Sequence, residues 1–316
     1  MDIVSISKAF DSGVVQLSEF AVSVILLTYN HVKFIEQATR SILAQNLDQL
    51  PGGIEIIVGE DCSKDETPNI LRRLDREFPG RMTLLLRPQN LGLSRNLEDC
   101  WQRCRGRYIA ILEGDDFWTD PNKLAKVVKH LDEHPEQSGC WHACHMESTV
   151  SSVSSGFLPS PFPVAPIGVV ELLEDNPLGS YSLTCYRRGL VPIFPAGHRR
   201  LACGDWLLNL MHVMHGPIGF LPELMATYRV HPKGMMYTLD LGRQIAEKFE
   251  VLFHFDHESH GQYHEQVAAA FARRQQRLSR EMEGIQKMAV RYQAMHLDKV
   301  AACVKRLLSP FRSATS

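Results

Sequence analysis

The sequence predicts an α/β fold: a mostly parallel sheet with helices on both faces, followed by a helical extension. Two observations predict the sheet. Four apolar runs (VSVILLT 22–28, IEIIVGED 54–61, MTLLLR 82–87 and RYIAILEGDD 107–116) alternate with helical patterns. The runs are nearly continuous rather than alternating, as expected of strands covered on both faces. A third observation predicts the extension: residues 243–308 read as helix and lack turn signals.

The elements follow in order. After the first run, Phe34, Ile35, Ala38, Ile42 and Leu43 recur at helix spacing through about Gln45. TPNILRRLDREF (67–78) is the second amphipathic helix, and NLEDCWQRC (96–104) is a short third one. TDPNKLAKVVKHLDEHP (119–135) reads as a helix capped by Thr119 or Asp120 and stopped before Pro135, and SGCWHACHMEST follows as a fifth strand. STVSSVSSGFLPSPFPVAPIG (148–168), rich in Ser, Pro and Gly, is expected to be a long mobile loop over the site. Residues 1–21 form a lead, 22–240 the main domain (a nucleotide-binding half, 22–147, and an acceptor-side half, 148–240), and 241–316 the extension.

Bulk properties exclude several classes. The chain has 316 residues and a net charge of -2, so no basic excess is available for a nucleic-acid backbone. MDIVSISKAFDSG lacks a basic start followed by an apolar core, and no run is long enough to span a bilayer. The eight scattered cysteines then read as reduced thiols, and a cytoplasmic location is expected.

In an open parallel sheet, ligands bind beyond the carboxyl ends of the strands. Here those ends carry TYN (28–30), GEDCSKD (59–65), RPQNLGLSRN (87–96) and EGDD (113–116), all polar. The last is the most demanding. Glu113, Asp115 and Asp116 crowd one strand end, where they would repel and drive at least one toward protonation unless a cation were present. A divalent ion resolves the conflict, because Mg²⁺ or Mn²⁺ binds through one or two carboxylates plus substrate phosphates.

Together VSVILLTYNHVKFIEQATRSILAQ, IEIIVGEDCSKDET, NLGLSRN and GRYIAILEGDDFWTDPNKL resemble the successive signatures of the family 2 glycosyltransferases, from about residue 22 to about 235. The resemblance implies the GT-A fold, Rossmann-like and mostly parallel, and an inverting transfer from a nucleotide-diphosphate sugar, a UDP-sugar first, to a hydroxyl. It implies that Thr28, Tyr29, Asn30 and Asp61 hold the nucleobase, and that Asn90, Arg95 and Asn96 line the donor, with Arg95 either a forked donor to the diphosphate or a surface arginine. EGDD takes the place of the family's DxD. Glu113 stands at the usual first Asp and is assigned to the donor, beside Asp115. The metal goes to Asp115 and Asp116, with Asp116 preferred, and Phe117 and Trp118 serve as packing.

An inverting transfer also needs a base for the acceptor hydroxyl. The resemblance assigns it to Asp205 in LACGDWLLNL, where the family's Glu-Asp reads Gly204-Asp205. Read from its residues alone, Asp205 is an N-cap at a helix start. In TYRVHPKG (227–234), the resemblance implies a segment folded over the diphosphate, with His231 as metal ligand or phosphate donor and Arg229 and Lys233 adding positive charge. Cys140, His142, Cys144 and His145 suggest zinc, but the spacing does not match paired-ligand patterns and a core strand accounts for them better.

Two alternatives remain open. Glu113 and Gly204 fit a degenerate transferase acting as a nucleotide-binding scaffold; a sugar nucleotidyltransferase would need a Gly-rich, basic loop after the first strand, which TYNHVKF does not supply. The expected acceptor is a glycan, a lipid-linked glycan or a protein, in cell-envelope polysaccharide synthesis by resemblance. The basic residues of the extension (Arg273, Arg274, Arg277, Arg280, Lys287, Arg291, Lys299, Lys305, Arg306, Arg312) suggest peripheral contact with the inner face of a membrane, or a homodimer contact.

Overall fold

The computed structural model describes residues 19–283, except 161, 162 and 164, together with 286 and 287. They fall into two compact units divided after Gln262.

The first unit is built on a nine-stranded mixed sheet. The predicted strands are β1 (Phe20–Thr28), β2 (Ile54–Glu60), β3 (Thr83–Leu86) and β4 (Gly106–Glu113), and they lie parallel in the order β3-β2-β1-β4. Side chains of β1 alternate between two apolar layers: Val22, Val24 and Leu26 enter one, Ile25 and Leu27 the other. Helices α1 (Ile35–Leu43), α2 (Thr67–Glu77) and α4 (Lys123–Glu133) contribute Ile35, Ile42, Leu71 and Leu124 to the first layer. Helix α3 (Leu93–Gln102) contributes Leu97, Cys100 and Trp101 to the second. Because the four strands are parallel, their polar carboxyl ends share one edge.

The rest of the sheet was not legible as a parallel array. β6 (Gly139–Ser148) is the predicted fifth strand, but β8 (Thr184–Arg187) is inserted antiparallel between it and β4. The long β9 (Ile218–Val230) runs parallel to β6, and the two-residue β5 (Phe117–Trp118) pairs with β9. Along β4, the pairing with β8 covers residues 108–110. The tip of β4 is therefore covered by the 3₁₀ turn Tyr181–Leu183, whose Ser182 Oγ accepts from Glu113 N–H at 3.0 Å.

Several boundaries differ from expectation. Residues 1–18 of the expected lead lie outside the described residues, and Phe20 and Ala21 already belong to β1. The 148–168 segment, which leads into the short helix α5 (Val169–Glu174), is not one open loop. β7 (Gly156–Leu158) pairs with β6, and Ile167 bridges to Ile218, because its apolar residues find partners on the sheet. Neither Thr119 nor Asp120 caps α4. The N-cap is Asn122, and Asp120 Oδ1 instead accepts from Asn122 N–H at 2.8 Å in an Asx turn. The expected boundary at 240 also moves. Helix α8 (Leu241–Glu258), which follows the short α7 (Met235–Thr238), lies in the first unit, and its buried Glu247 accepts from Ala202 N–H at 2.7 Å. The described part of the second unit contains a helix over residues 264–283, here α9, that carries Arg273, Arg274, Arg277 and Arg280. Arg291, Lys299, Lys305, Arg306 and Arg312 lie outside the described residues. No described helix is long and apolar enough to cross a membrane.

Candidate active site

The loop from β4 into β5 carries EGDD and passes close to the end of β1. Gly114 N–H donates to Leu27 O at 2.7 Å, and a Cβ on Gly114 would lie 2.9 Å from that oxygen. Only a glycine lets the loop come this near, which explains the second letter of the motif.

The three carboxylates have distinct surroundings. Asp116 is buried, with Oδ1 accepting from Arg229 N–H at 2.8 Å and Oδ2 from Ser182 Oγ at 2.6 Å. Burial, then the nearby charges of Asp115 and Glu113, push its pKa up. Glu113 accepts from Ser180 Oγ at 2.7 Å, and burial followed by the Asp115 charge raises its pKa as well. Asp115 goes the other way. Burial opposes its charge, but the His231 hydrogen bond and the fields of His31 and His231 outweigh it and hold the carboxyl below its usual range. Its Oδ2 lies 3.0 Å from His231 Nε2 and 3.8 Å from His31 Nε2. The crowding expected from sequence is thus met by one ionised carboxylate flanked by two imidazoles, with its neighbours pushed toward protonation.

Arg229 organises the other side. Its guanidinium donates to Asp115 O at 2.8 Å and to Gln37 Oε1 at 2.6 Å, and lies over the rings of Phe34 and Phe117 at 5.1 and 4.5 Å. Phe117 therefore supports Arg229. Trp118 is a core residue, its ring under Lys123 Nζ at 3.7 Å.

Asp205 is the second residue of α6 (Gly204–Val213), whose N-cap is Cys203, so the capping reading does not hold. Its Oδ2 accepts from Asn176 Nδ2 at 2.8 Å, and burial raises its pKa to about 6. Gly204 is explained by its neighbours: a Cβ there would lie 3.0 Å from both His198 Nε2 and Tyr181 Oη, which bond each other at 2.7 Å. Glu113 and Asp115 of EGDD and the distant Asp205 line one cavity of about 220 Å³ with Asn176, Tyr181, Trp206 and Tyr228.

A family model described as Glycosyl transferase family 2 matches residues 23–191, more than half of the chain. The chain belongs to glycosyl transferase family 2. An uncharacterized protein of Mycobacterium tuberculosis is 34% identical over 216 residues, which is 68% of this chain and 60% of that protein. The chain thus spans less than two thirds of its mycobacterial relative. A putative teichuronic acid biosynthesis glycosyltransferase of Bacillus subtilis, TuaG, is 33% identical over 37% of this chain and 43% of its own. Among solved structures, S. aureus TarS in complex with UDP-GlcNAc matches with a TM-score of 0.59 at 19% identity, over 75% of this chain and 66% of that one. The mannosyltransferase PcManGT from Pyrobaculum calidifontis, in complex with GDP-Man and Mn²⁺, gives 0.57 at 19% identity, over 92% and 88%. At that identity the two structures show the shared GT-A-like fold.

The remaining family positions divide. Thr28 Oγ1 is buried with no hydrogen-bond partner among the described residues, and Tyr29 is exposed. Asn30, at φ 58°, accepts from Lys64 N–H at 2.8 Å, which ties the first and second strand ends together. Asp61 is buried, and its carboxylate accepts from Leu91 N–H at 2.7 Å and Gly92 N–H at 2.9 Å, while Asn90 Nδ2 donates to Asp61 O at 3.1 Å. This bonding shapes the 90–92 loop. Asn96 donates to Gly59 O at 2.8 Å and fastens α3 to β2. Arg95 does not line the carboxylate cavity, and Lys233 is exposed. Asn176, Ser180, Tyr181, Ser182 and His198 were missed, because SYSLT and the turn near 198 carry no chemical signature until the fold brings them to EGDD and Gly204. Cys140 and Cys144 lie in the buried part of β6 with Trp141 and His142, and His145 is exposed.

The chemistry of the donor set bears on the metal. Among the described residues no three His, Cys, Asp or Glu side chains are placed to enclose an ion. Asp115 with His231 supplies two donors, which suits a cation completed by substrate phosphates. Asp116, the ligand preferred from sequence, has both oxygens engaged by protein donors.

Proposed function

We infer that the protein transfers a sugar from a nucleotide-diphosphate sugar to a hydroxyl acceptor with inversion, a UDP-sugar being the first donor to test. One observation carries the reading: Asp205, a carboxylate with a pKa of about 6, shares a cavity with the Glu113 and Asp115 tip of β4. A carboxylate so tuned is ionised near neutrality yet basic enough to accept a proton. In this reading Asp205 takes the acceptor proton as the acceptor oxygen bonds to the anomeric carbon. The bond from that carbon to the diphosphate breaks, and the nucleoside diphosphate departs. Asn176 orients the base. Thr28, Tyr29, Asn30 and Asp61 form the nucleobase wall, and Asn90 lines the donor beside them. Arg229 fixes the loop that presents Asp115.

Asp115 and His231 are the residues that would hold Mn²⁺ or Mg²⁺, whose chemistry when bound is to offset charge on the leaving diphosphate. Asp116 enters as the brace between β9 and the 180–182 turn. The test is a panel of nucleotide sugars with Mn²⁺ or Mg²⁺, assayed for transfer and hydrolysis. Turnover of no donor would overturn the transferase reading.

In this reading the acceptor belongs to cell-envelope glycan synthesis, and similarity to TuaG supports it. The basic content of α9, with Arg273, Arg274, Arg277 (paired with Glu281) and Arg280, supports contact with an anionic lipid surface. Co-sedimentation with anionic liposomes should drop when these four are changed to Gln. Equal sedimentation of both proteins would remove the membrane contact and favour a contact between two copies.

A further inference from the structure

Leu93, Ala202 and Met235 line the carboxylate cavity and also a second, larger one of about 450 Å³. The character of the wall changes between them. Arg95, Arg199, Arg200 and Arg243 border the second cavity, against a single carboxylate, Glu247.

The four cations are not equivalent. Arg199 is held by Glu98, with Nε and Nη2 both at 2.9 Å from its carboxylate oxygens. Arg243 donates to Glu247 at 2.7 Å and to Glu250 at 2.9 Å. Glu247 in turn accepts from Ala202 N–H, so its charge is spent within the wall. Arg95 and Arg200 have no carboxylate at ion-pair distance among the described residues. Both are exposed, and two guanidiniums without a carboxylate partner on one cavity favour an anion there, their planar forks matching phosphate oxygens.

The wall is also fixed in place. Ser94 Oγ donates to His198 O at 2.8 Å, which joins the start of α3 to the 3₁₀ turn Ala196–Arg200. Glu247 anchors the next turn, which leads within three residues to Asp205. Basic and acidic cavities are thus two ends of one continuous lining.

We propose that the arginine cavity is an anion subsite for the acceptor. It takes a phosphate or diphosphate group carried by the acceptor while the reacting hydroxyl lies at Asp205. This rests on the transferase reading and adds a substrate class to it: a phosphorylated acceptor. The competing occupant is the donor's own diphosphate. Arg95, which the resemblance sets against the diphosphate, lines the arginine cavity, but Asp115, Arg229 and His231, the other groups assigned to that end of the donor, do not.

Calorimetric titration of inorganic pyrophosphate into the full chain, saturated with Mn²⁺ and the nucleoside diphosphate of the preferred donor, separates the two. Binding should persist under saturation, weaken at least tenfold in Arg95→Gln/Arg200→Gln, and remain unchanged in Arg72→Gln, an exposed arginine elsewhere. Should the double variant fail to fold, the exposed Arg200→Gln alone should still weaken binding severalfold. Complete displacement by the nucleoside diphosphate would return the arginines to the donor and overturn the proposal. So would an affinity unchanged by the substitutions, or no binding at all. Farnesyl diphosphate and glycerol 3-phosphate, titrated under the same conditions, distinguish a lipid-linked from a polyol-linked phosphate by which binds more tightly. If no nucleotide sugar is turned over while pyrophosphate binding still depends on the two arginines, the transferase reading fails and the anion site stands.

Discussion

Asp205 illustrates how one side chain acquires a role from its surroundings. In an extended chain its carboxyl would titrate near 3.8; burial in the cavity moves it to about 6, against the opposing hydrogen bonds from Trp206 N–H and Asn176. Asp205→Asn keeps the shape and the Asn176 contact but removes the base, and a general base is worth about 10²–10⁴ in rate. The expected outcome is a fall in kcat of that order with donor KM little changed. The sign of the pH effect follows from which form is active. The ionised form is the base, so kcat/KM should fall as pH drops through about 6, roughly tenfold per unit below it. Steady-state kinetics from pH 5 to 8 test both points, and an unchanged kcat in Asp205→Asn would transfer the role to another group.

Helix α4 carries a different kind of buried charge. Lys123, its first residue, is fully buried, has no hydrogen-bond partner for Nζ among the described residues, and touches the face of Trp118 on β5. Burial lowers its pKa from 10.5 to about 8, and the groups facing it, Cys140, Cys185 and His142, stay neutral at that pH. At pH 7 the folded state therefore holds an ammonium in an apolar site. A shift of this size is a cost on the order of 3 kcal/mol, offset by about 2 kcal/mol from the ring contact. Because the unfolded lysine binds its proton more tightly, stability should rise with pH between about 8 and 10.5. Lys123→Met should raise stability at pH 7 by about 1 kcal/mol and abolish that rise, as read by urea unfolding at pH 7 and pH 10. A destabilised variant would mean that the ring contact outweighs the burial cost.

At the scale of the whole molecule, the proposed donor site would couple the strand ends to the β9 side of the sheet. The donor is assigned to the tips of β1, β2 and β4 and to His231, just past β9, so ligand should stabilise the fold by mass action, about 2.7 kcal/mol at a hundredfold excess over Kd. Nucleoside diphosphate with Mn²⁺ should raise Tm, and metal should add nothing in Asp115→Ala. A metal-dependent shift retained in that variant would move the ligand role away from Asp115. The same long-range assembly explains the anion subsite, whose walls come from α3, the 196–202 turns and α8.

The sequence by itself determined the parallel half of the sheet, because strands buried on both faces must be apolar along their length. It also determined that four polar strand ends share one edge, and hence that EGDD, TYN and the Asp61 loop lie together. Tertiary structure alone decided how the carboxylates divide their charge. Ser180, Ser182, Asn176 and His231 reach EGDD and Asp205 only through the inserted antiparallel β8 and the return of β9, and those contacts are nonlocal. Gly204 looked like a lost carboxylate, but packing sets it against His198 and Tyr181, which would have to shift by a few tenths of an ångström to admit a side chain. Pairing of distant segments sets burial, burial sets pKa, and neither is written in local pattern.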